Sequence, residues 1–360
     1  MLPLPDTTAA TRRNIAAKYK LSAFPDPRPF LHIRCGDDIL GMLGEAGIPG
    51  DGIRWSDVLS EGPLHHHRDP SDRQRERAAY VATRYFVPMT ESLREIKGAD
   101  WRVDQCVRYE ETVLWFEADL FDQAILVYLL ARLAPLARET RISLICIGAF
   151  PGIRRFIGLG QLTPAQLATL LPRRRPVTRG QFALAAVAWD ALNARDPRAL
   201  SRIGRMRSRA LPFLPAAIRR YLAEYPSTDN GLSQTAQYAL EAIAEGARTA
   251  GEAFVRVQQR ERRPFMGDSM FYAVLRDLAA GDDPAVGGAH PRLARLGDAD
   301  LRCDCPIRLT ADGRRLLAKE SDWCRLSGTT RHLGGVTLRG HDPRWRWDPR
   351  RQRIVERRPR

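Results

Sequence analysis

A run of polar side chains follows an apolar, strand-like segment in the first half of the sequence. The segment TVLWFEADLFDQ carries Glu117, Asp119, Asp122 and Gln123 where the apolar run ends and an amphipathic one begins. Clustered carboxylates at the end of a strand can bind a divalent cation or act as general acid and base. The competing interpretation is that Asp119 or Asp122 caps the following helix and that Glu117 is solvated.

A second candidate is the sequence Gly36-Asp37-Asp38, which follows the first apolar run of the chain. Glycine permits close approach of a ligand to the backbone, and the start of the following helix offers unpaired N–H groups that suit an anion. Asp37 or Asp38 could instead cap that helix. Neither G-x-G-x-x-G nor G-x-x-x-x-G-K-[ST] occurs in the sequence, which disfavours a standard dinucleotide or P-loop site.

A third candidate combines a carboxylate with a turn and three histidines. Glu61 precedes Gly62 and Pro63, so its side chain could point into the same crevice or belong to the turn alone. The consecutive histidines His65 to His67 follow at once, and neutral imidazoles are good metal ligands. Adjacent side chains of an extended loop rarely converge on one ion, so we do not expect a metal there.

The periodicity of apolar residues predicts a small α/β domain over residues 29–160. Its strand-like runs are almost continuously apolar, which is typical of a mainly parallel sheet covered on both faces. The predicted strands lie at 30–35, 52–59, 112–116 and 142–148, with helical patterns at 39–46, 72–97 and 121–136.

Open α/β sheets bind ligands at the carboxyl ends of their strands. If the first and third strands are neighbours, Asp37, Glu61, Glu117 and Asp119 line one pocket. Mutual repulsion in such a cluster raises some carboxyl pKa values unless a cation or an arginine neutralises the group.

The composition changes after residue 160, where strand-like runs give way to helical patterns. We predict a helical linker region over 161–228 and a winged-helix-like domain over 229–350, because three helical patterns there precede a two-stranded hairpin. The two ends of the chain are predicted to lie outside these domains. Residues 1–28 are predicted to be a flexible leader, and residues 351–360 a disordered basic tail after a hairpin at 348–349.

Local signals place the ends of several of these helices. Thr163 followed by Pro164 is a specific helix start, and Ser233 and Asp268 are candidate N-caps for the first and third helices of the winged-helix-like domain. The element LTADGRRLL resembles the returning strand and turn of such domains.

The third helix of that domain is poorly suited to reading DNA. It carries one arginine, Arg276, against Asp268 and Asp277, whereas phosphate binding needs positive charge. The candidate nucleic-acid contacts therefore lie elsewhere, and a protein contact is the alternative use of the fold. The candidate basic residues are Arg256, Arg260, Arg263, Arg314 and Arg315.

Composition excludes several classes of protein. The chain has 360 residues, 44% of them hydrophobic and 28% charged, so it is neither disordered nor fibrous. It contains neither a signal peptide nor an apolar run of ~18 residues, so we expect a cytoplasmic protein with no membrane contact and reduced cysteines. The formal net charge of +15 attracts anionic partners, but 53 of the 57 basic residues are arginines spread along the chain.

Several segments together resemble the bacterial family called domain of unknown function 1835. The resemblance spans residues 30 to about 350 and rests on specific spacing; it implies an α/β N-terminal domain and a helical C-terminal part, with no established reaction. The segments are LHIRCGDD, the block Ile48–Pro63, VLWFEADLFDQ, GLGQL, ALPFL, NGLS, FMGDSMF, LTADGRRLLAKESDW, HLGGV and WRWD.

The resemblance also implies a set of polar site residues. Cys35 precedes Gly36 where the family often has Asn, which removes an amide from that position, and the triple histidine is outside the family pattern. Carried onto this sequence, the polar signature is Gly36, Asp37, Asp57, Glu61, Gly62, Pro63, Glu117, Asp119, Asp122 and Gln123.

Two hypotheses of function follow. In the first, the chain is a regulatory protein: Gly36, Asp37, Gly62 and Gln123 bind an anion or nucleotide in the α/β domain, and the winged-helix-like domain contacts nucleic acid or a protein partner. In the second, it is a metal-assisted hydrolase. In that hypothesis Asp37, Glu117 and Asp119 hold a divalent cation, which is the one cofactor considered. Glu61 and Asp119 are the catalytic residues, with Glu61 as the base. Neither hypothesis specifies an oligomeric state.

Overall fold

The computed structural model describes residues 28–67, 69–288 and 304–357. The chain forms two compact units. The first unit contains the described residues 28–57, 97–118 and 125–186, and the second contains 58–67, 69–96, 119–124, 187–288 and 304–357. Residues 1–27 of the predicted leader and 358–360 of the predicted tail lie outside the described residues.

The strands are numbered in chain order across both units. They are β1 (Arg28–Arg34), β2 (Asp51–Arg54), β3 (Gly62–Pro63), β4 (Tyr109–Glu117), β5 (Arg141–Ile147), β6 (Arg175–Pro176), β7 (Val286–Gly288), β8 (Ile307–Leu309), β9 (Arg331–Gly334), β10 (Val336–Leu338), β11 (Trp345–Asp348) and β12 (Arg353–Glu356).

The α-helices of the described residues are numbered in the same way. They are α1 (Leu40–Glu45), α2 (Pro70–Tyr85), α3 (Met89–Asp104), α4 (Leu120–Leu133), α5 (Pro164–Ala168), α6 (Arg179–Asn193), α7 (Arg198–Arg205), α8 (Leu214–Leu222), α9 (Gln234–Ala244), α10 (Ala250–Arg260), α11 (Asp268–Leu278), α12 (Ala311–Leu317) and α13 (Trp323–Ser327). None of these helices has the length and apolar character required to cross a membrane.

The first unit is built on a five-stranded sheet in the order β2-β1-β4-β5-β6. Its first four strands are parallel, and β6 adds an antiparallel edge. The prediction of a mainly parallel sheet is confirmed, and β1 and β4 are neighbours, with Ile33 opposite Leu114. Seven of the nine residues of β4 are buried, because a strand inside a parallel sheet is covered on both faces.

A buried histidine joins two central strands of this sheet. The Nε1–H of Trp115 on β4 donates to Nδ1 of His32 on β1 over 3.1 Å. On the other side of the ring, His32 Nε2 lies 3.0 Å from the carbonyl oxygen of Pro49. Burial lowers the pKa of His32, so the ring is neutral and each nitrogen has a defined role as acceptor or donor.

In the second unit, three helices and two short strands follow one another in a compact arrangement. Helices α9, α10 and α11 contact one another, and β7 pairs antiparallel with β8. Thr249, just before α10, bridges Pro306, just before β8. Ser233 caps α9 as predicted, its side chain accepting from the N–H of Ala236, whereas the N-cap of α11 is Gly267 rather than Asp268.

Two predicted details of the C-terminal part differ from the structure. The LTADGRRLL element is mostly helical: β8 ends at Leu309, the Thr310 side chain accepts from the N–H of Gly313, and α12 follows. Thr at an N-cap followed by Asp in the first turn stabilises a helix start. The predicted tail also begins with a strand, because β12 pairs antiparallel with β11.

A buried ion cluster fastens α8 to the start of α9 and the end of α10. Arg220 Nη1 donates to Glu224 over 2.6 Å, and Arg220 Nη2 donates to Glu261 over 2.6 Å. Glu224 also accepts from the hydroxyl of Thr235. Burial alone would raise the pKa of Glu224, but the charges of Arg220 and Arg331 outweigh it and lower the pKa to about 2.

This cluster predicts a pH-dependent difference in stability between the wild type and Glu224→Gln. An unfolded glutamate takes up a proton near its ordinary pKa, whereas folded Glu224 does so only near pH 2. Its stabilising contribution is therefore complete above the ordinary pKa and is lost as the pH falls towards 2. The wild type should exceed the variant in free energy of unfolding by about 3 kcal/mol near pH 7, and the gap should narrow on acidification.

Urea denaturation at a series of pH values measures this gap. Glu320→Gln, at an exposed position, is the control and should follow the wild type throughout. A gap between the wild type and Glu224→Gln that stays constant from neutral to acid pH would contradict the assignment.

Candidate functional site

The carboxyl edge of the first unit's sheet is occupied by a buried arginine. Arg34, the last residue of β1, has a side chain only 5% exposed. Its Nε and Nη2 donate to the two carboxylate oxygens of Asp38 over 3.1 Å each. Nη2 also forms an ion pair with Glu117 at the end of β4. The acidic edge predicted from sequence therefore contains its own counter-charge.

A loop with two glycines packs against both carboxylates of this network. The N–H of Leu159 donates to Glu117 Oε1 over 2.6 Å. A Cβ atom at Gly158 would lie 2.9 Å from Glu117 Oε2, and one at Gly160 would lie 3.1 Å from Asp38 Oδ2. The GLGQL motif thus supplies the close approach and an N–H donor to Glu117.

Asp37 and Asp38 are adjacent in sequence but have different roles. Asp37 is exposed and pairs with Arg54 Nη1 over 2.8 Å. Asp38 is the residue that joins the Arg34 and Glu117 network, and its Oδ1 would lie 3.2 Å from a Cβ at Gly36. Sequence reasoning selected Asp37 as the ligand and did not single out Arg34.

Asp119 lies just before α4 and accepts hydrogen bonds from that helix. Its Oδ1 accepts from the N–H of Asp122 over 3.0 Å, and its backbone oxygen accepts from the N–H of Gln123 over 3.1 Å. All three residues are buried. This geometry matches the capping interpretation of Asp119 that the sequence left open.

In the second unit, Glu61 is buried beside a tyrosine. Its Oε1 accepts a hydrogen bond from the hydroxyl of Tyr85, and Arg84 Nε lies 4.0 Å from the same oxygen. Burial and the charge of Glu61 raise the pKa of Tyr85, so the phenol remains a donor. The Glu61 side chain therefore has a fixed partner, which disfavours its use as a free general base.

The segment that contains Glu61 is fastened to α2 by a fully buried arginine. Arg77 donates from Nη2 to the carbonyl of Val58 over 2.8 Å. Its Nη1 donates to the carbonyls of Glu61 over 2.9 Å and Pro63 over 3.2 Å. Gly62 between them has φ of +78°, and a Cβ there would meet the Tyr80 ring at 2.5 Å. Gly62 is thus required by the backbone and by packing.

Two of the three consecutive histidines converge on a glutamate of α2. His65 Nδ1 lies 2.5 Å from Glu76 Oε1, and His67 Nε2 lies 3.0 Å from Glu76 Oε2. His66 between them is exposed. Alternate residues of an extended segment point to the same side, so two histidines two residues apart can converge where two adjacent ones cannot. Sequence reasoning missed Glu76, which lies among many charged residues of a helix.

The candidate nucleic-acid residues of α10 and the segment after it have partners within the second unit. Arg256 Nη1 donates to the carbonyl of Glu245 over 2.8 Å, and Arg260 forms an ion pair with the Glu245 carboxylate. The guanidinium of Arg263 lies over the Phe213 ring, 4.9 Å from its centroid. Of these arginines, Arg260 has a carboxylate partner for its charge, whereas the partner of Arg256 is a carbonyl.

The other two candidates lie on α12. Arg315 Nη1 pairs with Asp312 over 3.2 Å. Arg314 Nη1 instead donates to the carbonyl of Thr310 over 3.2 Å. A carbonyl partner leaves the guanidinium charge uncompensated, whereas a carboxylate partner cancels it.

The third helix of the predicted winged-helix-like domain is largely buried. Seven of the eleven residues of α11 are buried. At its C-terminal end, Asp277 accepts two hydrogen bonds from Arg84 Nη1, over 2.7 and 2.8 Å. Arg276 donates to the carbonyl of Arg84 over 2.8 Å and lies over the Phe86 ring. The charged residues at this end of α11 therefore contact the end of α2.

No protein-family model matches this chain, and no curated protein matches it. The functional assignment therefore depends on the site geometry and the sequence.

The Arg34 network predicts a large loss of stability on removal of its cation. Arg34→Met leaves two carboxylates at the sheet edge without their guanidinium, and breaking a buried ion pair in this way costs about 3 to 5 kcal/mol. Arg54→Met removes the exposed pair with Asp37 and should cost less than about 1 kcal/mol. Chemical denaturation followed by circular dichroism measures both, and equal effects of the two substitutions would contradict this account.

The geometry at Gly62 predicts a second stability effect. Gly62→Ala combines a positive φ with a close contact to Tyr80, and we expect a loss of about 2 to 5 kcal/mol in the free energy of unfolding. Gly246 has φ of +99° and no atom within 4 Å of an added Cβ, so Gly246→Ala isolates the backbone cost of about 1 to 2 kcal/mol. If Gly62→Ala and Gly246→Ala lower the free energy of unfolding by the same amount, the packing of Tyr80 does not restrict which side chain fits at position 62.

Proposed function

We propose that the chain is a regulatory protein whose residues 229–350 form a winged-helix-like domain that binds a protein partner. Helices α9, α10 and α11 are followed along the chain by strands β7 and β8, and Thr249, just before α10, bridges Pro306, just before β8. This order of elements supports the winged-helix part of the proposal. The resemblance to the domain of unknown function 1835 family belongs to the same proposal, and it supplies no reaction.

The burial of α11 is the observation that carries the choice of a protein partner. A helix that reads bases must expose several side chains to the major groove. The exposed residues of α11 include Asp268 and Asp277, both acidic, and Asp277 is already paired with Arg84. Arg256, Arg260 and Arg315, which could contact phosphates, are also engaged with groups of their own unit.

The outer face of α10 is the surface that we assign to the partner. Val255 there is 53% exposed and is flanked on the helix by the exposed residues Glu252 and Gln259. An apolar side chain among polar ones offers a small apolar contact with a polar rim, and the proposal assigns Val255 to that contact.

The anion or nucleotide site proposed for the first unit has weaker support. At the sheet edge, Arg34 faces two carboxylates, Asp38 and Glu117, and Arg54 is paired with Asp37. The paired groups carry more negative than positive charge, which repels phosphates. A hydrolytic metal bound to Glu117 would have to compete with Arg34 and with the N–H of Leu159 for that carboxylate.

The proposal predicts a specific loss of partner binding in Val255→Glu. Tagged protein recovered from nuclease-treated lysate should retain a stoichiometric polypeptide in the wild type and lose it in Val255→Glu. Val187→Glu, at another exposed valine of the second unit, is the control and should retain the polypeptide.

Fluorescence anisotropy with random duplex DNA tests the competing function. We expect Arg314→Glu to leave any binding at ~50 mM salt unchanged, because the excess positive charge is spread along the chain rather than gathered on the predicted winged-helix-like domain. Binding that weakens steeply as salt is raised, and that Arg314→Glu reduces, would replace the protein partner with nucleic acid.

A further inference from the structure

Three metal-ligating side chains meet in the second unit. His65, His67 and Glu76 each offer one ligand atom, and these three atoms all lie within 4.8 Å of one another. The two imidazole nitrogens approach opposite oxygens of the same carboxylate, at 2.5 and 3.0 Å. The proposed function makes no use of this cluster.

The donor set matches a divalent transition metal better than calcium or magnesium. Zn²⁺ takes imidazole nitrogen and carboxylate oxygen at about 2.0 to 2.2 Å, whereas Mg²⁺ and Ca²⁺ prefer oxygen alone. Tetrahedral bonds of that length separate neighbouring ligand atoms by roughly 3.3 Å. The two nitrogens lie 2.5 and 3.0 Å from the carboxylate oxygens, so small side-chain rotations bring these atoms to the separation that a bound ion requires.

Neighbouring contacts hold the ligands in place before any ion arrives. Arg77, next to Glu76 on α2, fixes the backbone up to Pro63. The N–H of Leu64 then donates to the carbonyl of Gly334 over 3.0 Å, which extends the pairing of β3 with β9. Ligands held by such surroundings bind metals more tightly than mobile ones.

The ring of His332 supports the site from β9. It packs against the His65 ring at 87°, with 6.2 Å between the ring centroids. The three ligand side chains remain 20 to 32% exposed, so an ion can reach them from solvent.

The geometry points to a site for one Zn²⁺-class ion held by His65 Nδ1, His67 Nε2 and the Glu76 carboxylate, with solvent in the fourth position. A neutral imidazole coordinates through the nitrogen that carries no proton, so on binding each ring takes the tautomer with its proton on the other nitrogen. Three protein ligands and one solvent position are the arrangement of an open zinc site.

Isothermal titration of the metal-stripped full chain with Zn²⁺ tests the site. We expect one ion per chain in the wild type and in His66→Ala, which removes the exposed histidine between the two ligands. His65→Ala, His67→Ala and Glu76→Gln should each weaken binding at least ~100-fold, because loss of an outer partner alone costs 10 to 100-fold. Equal affinity in the wild type and these three variants would overturn the assignment.

Cobalt substitution of the wild type gives a readout that needs no variant to fold. Co²⁺ in this site should show visible absorption of a four- or five-coordinate ion without a thiolate-to-cobalt charge-transfer band. The chain has six cysteines, so a thiolate band would assign the ion to them and overturn the proposal. Absence of any stoichiometric Zn²⁺ or Co²⁺ binding by the wild type would do the same.

Discussion

The guanidinium of Arg77 is fully buried, and this charge requires the surrounding chain to take one arrangement. A buried cation is tolerated only when hydrogen-bond acceptors surround it, and here they include the carbonyls of Val58, Glu61 and Pro63. The segment before the histidines must therefore lie against α2. That single requirement places the Glu61 side chain beside Tyr85 and directs the following residues towards Glu76, the neighbour of Arg77 on the same helix.

Arg34 solves the same problem in the first unit by a different means. Its acceptors include two carboxylates, Asp38 and Glu117, so it fixes side chains at the ends of β1 and β4. The carbonyl partners of Arg77 carry no formal charge and so do not cancel its positive charge. The two carboxylates beside Arg34 together carry more negative charge than its guanidinium carries positive charge. An acidic edge that looks catalytic in sequence can thus be an ionic junction, built around a buried arginine, that orders the ends of two strands and the glycine loop packed against them.

Much of the first unit could be predicted from sequence because its signals are local. Continuous apolar runs gave β1, β4 and β5 to within a few residues, and Thr163 with Pro164 marked the start of α5. The site could not be predicted as well, because it depends on which side each residue faces and what lies opposite. Two adjacent aspartates are equivalent in sequence, yet only Asp38 reaches Arg34. Nothing in the sequence distinguishes Glu76, because a glutamate that faces histidines and one that faces solvent fit the pattern of a charged helix equally well.

The formal net charge of this chain does not tell where its excess positive charge lies. The sequence carries +15, which favours nucleic acid on electrostatic grounds. In the described residues many guanidinium groups are committed to carboxylates or carbonyls of the same chain, as Arg220, Arg260 and Arg346 show. A guanidinium that already has an anionic partner adds little to the external field and little to counterion release. Each such pair cancels one positive and one negative charge, so the pairs leave the excess of +15 unchanged, but they show that many arginines join helices and loops, as Arg84 of α2 does with Asp277 of α11.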